Sequence, residues 1–204
     1  MRKIIALALL IFGLLLGWTE IRALTAETYR HKSQVIAKQS PTSIAALKSA
    51  VLSVQLAPWN AYSHAELAWR LQSSGNFRAS RQQFAQALSW APADAYLWAE
   101  YAQLLAHQRK FGREMELVTR ESNRLGPTSS AIQHSNAYIG LYFWGRGTQE
   151  LRNQWQTSMA FVLRTNRKRF LEQVRNVHRD RYFCLGPGVN LQVGSWCDRL
   201  SDSP

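Results

Sequence analysis

Apolar residues recur along this chain at three- and four-residue spacing, in blocks cut by Pro, Gly and Asn. Leu67, Ala68 and Leu71 share one face of a first helix, and Phe84, Ala87 and Leu88 share one face of a second. Gly75-Asn76 lies between them as a turn, so the two stripes face each other in a helical hairpin that opens at Pro58 and closes at Trp90. From Pro92 the pattern repeats. Tyr96, Trp98, Tyr101, Ala102 and Leu105 mark a first helix, Gln108-Arg109 a turn, and Phe111, Met115 and Val118 a second helix ending at Gly126-Pro127. A third pair is predicted over Ser130–Trp144 and from Thr148 onward, with Gly145-Arg146-Gly147 as its turn.

Each hairpin is introduced by a recurring phrase. Leu56-Ala57-Pro58-Trp59-Asn60-Ala61-Tyr62 returns as Trp90-Ala91-Pro92-Ala93-Asp94-Ala95-Tyr96, with the prolines 34 positions apart. A weaker mark, Leu125-Gly126-Pro127, follows 35 positions later. A period of this length is the mark of stacked helix pairs. Beyond it the stripe Leu151, Trp155, Met159, Val162, Phe170, Val174, Val177 predicts one long helix, or two joined near Thr165-Asn166. After Tyr182, residues Gly186-Pro187-Gly188, Gly194 and Trp196 predict the end of helical character and an ordered loop or short hairpin.

The segment Ala61 to Pro92 resembles the tetratricopeptide repeat, a helix-turn-helix module of 34 residues. Leu67, Ala68, Leu71, Gly75-Asn76, Phe77, Phe84, Ala87 and Pro92 stand at the family's expected positions, while His64 replaces a Trp and Ser80 an Ala. The second unit restores the Trp as Trp98 and keeps Tyr101, Ala102, Leu105 and Phe111, but Glu114 and Glu121 stand where small packing residues are expected. The resemblance implies an all-α solenoid of stacked hairpins, in which Ala68, Ala87 and Ala102 allow close helix approach.

The first residues change this picture. Met1-Arg2-Lys3 precede fifteen residues, Ile4 to Trp18, with no charge or proline. That length fits a signal-peptide core, whereas about 20 residues span a bilayer comfortably. Ala23-Leu24-Thr25 is a poor cleavage site far from the apolar core, which favours a retained anchor. Arg2 and Lys3 then stay cytoplasmic and the rest of the chain is periplasmic. No Gly or Pro occurs between Trp18 and Ser40, so the anchor helix runs on to the break at Ser40-Pro41, after which Thr42 or Ser43 caps a new helix toward Leu56. The layout is a cytoplasmic N-terminus (1–3), an anchor (4–20), linking helices or a degenerate repeat (21–57), tetratricopeptide-like hairpins (58–165), a basic capping helix (166–183) and a cysteine-containing tail (184–204).

Cys184 and Cys197 flank the Gly/Pro-rich tail and are the chain's two cysteines. An oxidising compartment would pair them; two unrelated buried thiols are the alternative. Without a nearby His or Cys pair they cannot complete a zinc site.

Candidate function follows from the family register, which implies a concave surface lined by the first helix of each pair. In this chain those residues are Tyr62, Trp69, Gln72 and Ser73, then Tyr96, Gln103 and His107, then His134, Tyr138 and Tyr142. Such a lining suits an extended peptide or the faces of sugar rings. Helix packing is the competing role for any one of these aromatics. The chain carries net charge +12, and Arg164, Arg167, Lys168, Arg169, Arg175, Arg179 and Arg181 form its densest basic stretch. Export past the membrane excludes nucleic acid as its partner and leaves anionic lipid, an acidic polysaccharide or a solvated helix face.

His31, His64, His107, His134 and His178 are scattered, and no G-x-S-x-G, Walker or H-E-x-x-H motif occurs. The sequence therefore reads as a non-enzymatic periplasmic adaptor with no cofactor and no metal, anchored in the bacterial inner membrane. Its expected partners are envelope proteins, and small anchored repeat proteins of this kind resemble accessory proteins of surface-polysaccharide biosynthesis or export. A chaperone-like assembly factor and a subunit of an envelope enzyme complex are the alternatives.

Overall fold

The computed structural model describes residues 2–191, 193, 196 and 197, with the backbone alone given for Arg2, Lys3, Ile4, Ala6, Arg181, Val189 and Asn190. Met1, Gly194 and most of the predicted tail after Leu191 lie outside the described residues. The chain forms two compact units, 1–92 and 93–204.

The first unit contains α1 (Arg2–Gln39), α2 (Ile44–Leu56), α3 (Ala61–Ser73) and α4 (Phe77–Trp90). As the uninterrupted sequence requires, α1 is one rod of 38 residues, about 57 Å long. Its described residues Leu7–Gln39 are long and apolar enough to cross a membrane, with mean hydropathy 1.8 over the most apolar window and no burial there. The later part is a packing helix: Ala26, Ser33 and Ala37 are buried. The Ser33 hydroxyl donates to Glu66 Oε1 of α3 at 2.6 Å, and Arg70 Nε lies 3.0 Å from the same oxygen.

The second unit contains α5 (Ala95–His107), α6 (Arg113–Leu125), α7 (Ser130–Phe143), a 3-10 turn (Trp144–Arg146), α8 (Gln149–Asn176), α9 (Asp180–Leu185) and a 3-10 turn (Pro187–Asn190). No strand occurs among the described residues. Helix α8 breaks at Asn166 (φ −151°, ψ 52°), at the joint the polar interruption predicts.

The prolines do not open the helices, as the sequence suggested. Each sits two residues before an N-cap, and the helix begins one residue after the cap. Asn60 accepts from the Ser63 N–H at 3.1 Å, and Asp94 accepts from Tyr96 and Leu97 N–H at 2.9 and 3.3 Å. Pro127 stands in the same relation to Ser129 and α7, and Pro41 to Ser43 and α2, although neither serine hydroxyl makes a cap bond. The phrase therefore encodes a turn and a cap, and it occurs four times. Its last copy carries Gly126 in place of Ala57 and Ala91; a Cβ there would lie 2.4 Å from Ile132 Cδ1.

Two further expectations are corrected. Glu114 and Glu121 are not packing positions of the second hairpin. The α5–α6 connection (108–112) is two residues longer than its counterpart (74–76) and passes through Arg109 in the left-handed region (φ 55°). The register of α6 slips accordingly, and Met115, Thr119 and Ser122 hold the buried places that Ser80, Phe84 and Ala87 hold in α4. The glutamates turn outward: Glu114 accepts from the Tyr101 hydroxyl and Glu121 pairs with Arg124. The helical character, for its part, does not end at Tyr182, and no strand of a hairpin occurs among the described residues of the tail. Helix continues to Leu185, and Phe183, Val193 and Trp196 pack on Phe170 and Val174 of α8. Cys184 and Cys197 form a disulfide over this cluster, with Cα atoms 5.6 Å apart.

Candidate functional site

Small residues set the α7–α8 distance and thereby the shape of the second unit. Trp155, fully buried, lies against two glycines: a Cβ on Gly140 would approach Trp155 Cβ at 2.5 Å, and one on Gly147 would approach Trp155 Cζ3 at 2.4 Å. Behind α7, Asn123 Oδ1 accepts from Gln133 Nε2, Asn136 Nδ2 and Ser158 Oγ at 3.1, 2.9 and 3.2 Å, joining α6, α7 and α8 through a polar network.

On the other side of α7, facing α5, lies a cavity of about 430 Å³ lined by Gln103, Ala106, His107, Ser135, Tyr138, Ile139, Tyr142 and Phe143. Four of these, Gln103, His107, Tyr138 and Tyr142, are residues that the repeat register assigned to the binding face. Gln103 Nε2 donates to Ser135 Oγ at 2.9 Å, which bridges the two helices. Tyr138 is half-buried and packs edge-on to Phe170 at 6.4 Å between centroids. Burial pushes its phenol above the usual value, the nearby Tyr142 phenol adds to the rise, and Arg169 opposes it. The hydroxyl is thus a neutral donor at neutral pH. The rest of the lining is mostly apolar, apart from the His107 ring and the Tyr142 hydroxyl, so the cavity offers an apolar seat with Gln103, Ser135 and Tyr138 as polar edges.

The other named residues lie elsewhere. In the first unit, Tyr62 is exposed, and Trp69 packs edge-on to Phe84 at 6.0 Å as a helix-packing aromatic. Gln72 is half-buried. Ser73 donates to the Trp69 carbonyl and borders a separate cavity with Glu66 and Arg70. In the second unit, Tyr96 is exposed and its hydroxyl accepts from Ser129 Oγ at 3.4 Å. His134 turns back to its own helix, with Nδ1 2.7 Å from the Ser130 carbonyl.

The basic stretch is not one helix. Arg164, Arg167, Lys168 and Arg169 are exposed around the Asn166 break. Helix α8 then ends at Asn176, and a turn with His178 in the left-handed region leads into α9. Arg175 lies 6.0 Å from the Trp196 ring centroid. Arg179 lies 5.7 Å from the Tyr142 centroid and 5.4 Å from that of Tyr182. The Arg181 side chain lies outside the described residues.

Sequence reasoning missed the second cavity this creates. Arg109, Tyr142, Phe143, Gly145, Arg146, Arg179 and Tyr182 line a cleft of about 310 Å³. Three chain segments meet there, and the Gly145 N–H donates to the Tyr182 hydroxyl at 2.6 Å. Only the left-handed turn at Arg109 carried a local signal, the Gln108-Arg109 turn itself. Among the described residues no three His, Cys, Asp or Glu side chains converge as a metal site would require.

The described residues define an all-α, tetratricopeptide-like fold of helical hairpins. The chain is similar to the solved structure titled "Functional Characterization of Pseudomonas Aeruginosa pilF", with TM-score 0.60 and 18% identity over 83% of this chain and 74% of that one. The likeness is one of fold. No protein-family model matches the chain, and no curated protein sequence matches it.

Proposed function

We propose that this chain is a membrane-anchored periplasmic adaptor that captures a short extended peptide of an envelope protein in the α5–α7 cavity. One observation carries the reading: Gln103 and His107 of α5 share a cavity with Tyr138 and Tyr142 of α7, and its wall is almost entirely apolar. An apolar seat with a few polar edges suits a peptide side chain better than the hydroxyl-rich faces of a sugar. The anchor places the cavity near membrane partners and raises their effective concentration. The apolar first half of α1 and the disulfide support an extracytoplasmic, oxidising location for the folded units.

The wider role we propose is that of an accessory protein in surface-polysaccharide biosynthesis or export, with a protein of that machinery as the client. This rests on the layout of one anchor and one small helical-repeat region. The mechanism is binding, with no bond made or broken. A photo-crosslinking residue at position 142, expressed in cells, is expected to capture a discrete envelope protein, while the same residue at exposed position 120 does not. Equal capture from both positions would refute the assignment of the cavity.

A further inference from the structure

The α5–α7 cavity and the cleft beside it share two wall residues, Tyr142 and Phe143. A ligand seated in the first therefore reaches the second across the width of these rings. The cleft carries three guanidiniums from unrelated segments: Arg109 from the α5–α6 turn, Arg146 from the 3-10 turn after α7, and Arg179 from the cap of α9. None of the three is in an ion pair among the described residues. The adjacent Asp180 makes no such pair either. Arg179 is held between the Tyr142 and Tyr182 rings, a stacking that fixes the guanidinium without neutralising it. Three like charges gathered at one cleft repel one another, and the arrangement becomes favourable when an anion binds there.

From this geometry we infer that the cleft is the acidic-residue subsite of the same groove, so that the captured peptide pairs an apolar side chain with a run of Asp or Glu. The inference rests on the peptide-capture reading above. Because Tyr142 and Phe143 wall both sites, an extended chain, at roughly 3.3–3.6 Å per residue, spans from one to the other within a few residues. Charge counting selects the occupant: one terminal carboxylate would leave two guanidiniums unmatched, whereas successive acidic side chains meet all three. Arginine suits this task because its planar fork binds carboxylates in a directed way.

The test is an array of N-acetylated, C-amidated octapeptides probed with the full chain in detergent. Wild-type protein should select sequences in which an apolar residue is followed or preceded within a few positions by acidic ones. Binding should weaken with salt. The R109Q/R146Q double variant, which alters two exposed side chains, should lose about tenfold in affinity for those peptides and keep its preference for the apolar residue. The R179Q variant should do the same, and its melting curve reports whether loss of the Tyr142 stacking has disturbed the fold. Selection of apolar peptides without acidic preference would overturn this inference and leave the groove reading standing. Failure to select any peptide would overturn both. Displacement of selected peptides by polygalacturonate but not by excess acidic peptide would also overturn it, in favour of a polysaccharide ligand.

Discussion

The guanidinium of Arg179 lies 5.7 Å from the ring centroid of Tyr142, and that ring is a wall of both cavities in the second unit. Tyr142 is 40% exposed, with one face toward the apolar seat and its surroundings shared with the arginine cleft. The contact links residues 37 positions apart and connects α7 to the turn before α9. It joins an apolar cavity and a basic one along a shared wall.

The position of α7 depends on Gly140. Gly140→Ala places a methyl 2.5 Å from Trp155 Cβ, an atom fixed to the α8 backbone, so the helices must separate. The gain in helix propensity is smaller than the overpacking cost, and the variant is expected to lose about 1–3 kcal/mol of stability. Urea denaturation followed by circular dichroism measures this, and an unchanged midpoint would contradict the packing described.

Tyr138 gives the second unit an alkaline sensitivity. Its folded-state pKa is raised above the ordinary 10.0, so below pH 10 both folded and unfolded phenols are protonated and the burial of the neutral ring counts in full. As pH rises past that value the unfolded chain ionises first, and stability falls until the folded phenol also ionises. Thermal melts between pH 8 and about 11.5 should show a loss that Tyr138→Phe reduces.

In the first unit, His64 stands where the repeat family favours Trp, and the structure gives it a job of its own. It is buried, with Nε2 2.8 Å from the Pro58 carbonyl and Nδ1 2.7 Å from the Gln83 side chain. Both partner atoms, the Pro58 carbonyl oxygen and Gln83 Oε1, are acceptors, so each ring nitrogen that carries a proton donates to its neighbour. His64→Ala removes both bonds and leaves the Pro58 turn untied, at a cost of about 2 kcal/mol. His64→Trp cannot reproduce both contacts and should recover only part of the loss, as read from denaturation midpoints.

The disulfide acts on the tail. Replacing Cys184 and Cys197 by Ser should destabilise the second unit by about 2–3 kcal/mol, the chain-entropy value for a loop of this size. Because Phe183, Val193 and Trp196 pack on Phe170, hydrogen exchange should rise first in α9 and the second half of α8. Uniform exchange across α5–α8 would show that the tail is not a separate layer.

Much of this organisation is legible in the sequence because it is local. The Pro-x-cap phrase marks helix starts through neighbouring residues, and the apolar stripes give helix faces through their spacing. The register of the first helices is equally local, which is why Gln103, His107, Tyr138 and Tyr142 could be named together. The slip in α6 was hidden because Arg109 keeps the left-handed place of Gly75, 34 positions earlier, while the two extra residues of the connection follow that turn with no local signal. Glu114 and Glu121 then looked like failed packing residues. The arginine cleft was hidden for a different reason: Arg109, Arg146 and Arg179 are brought together by tertiary packing, and two of them stand outside the basic stretch that drew notice. The folded tail depends on Phe183, Val193 and Trp196 finding Phe170, a long-range match that Gly and Pro content obscured.

The central claim is that the α5–α7 cavity binds a partner's peptide. Its most direct measurement is the affinity of the capped peptides selected by wild-type full chain, compared with the His107→Ala/Tyr142→Ala variant, alongside melting of both proteins. Both residues are exposed and their truncation spares the core. The account predicts a loss of at least about tenfold in affinity with an unchanged melting temperature. Equal affinity in the two proteins, or no peptide binding by the wild type, would contradict it.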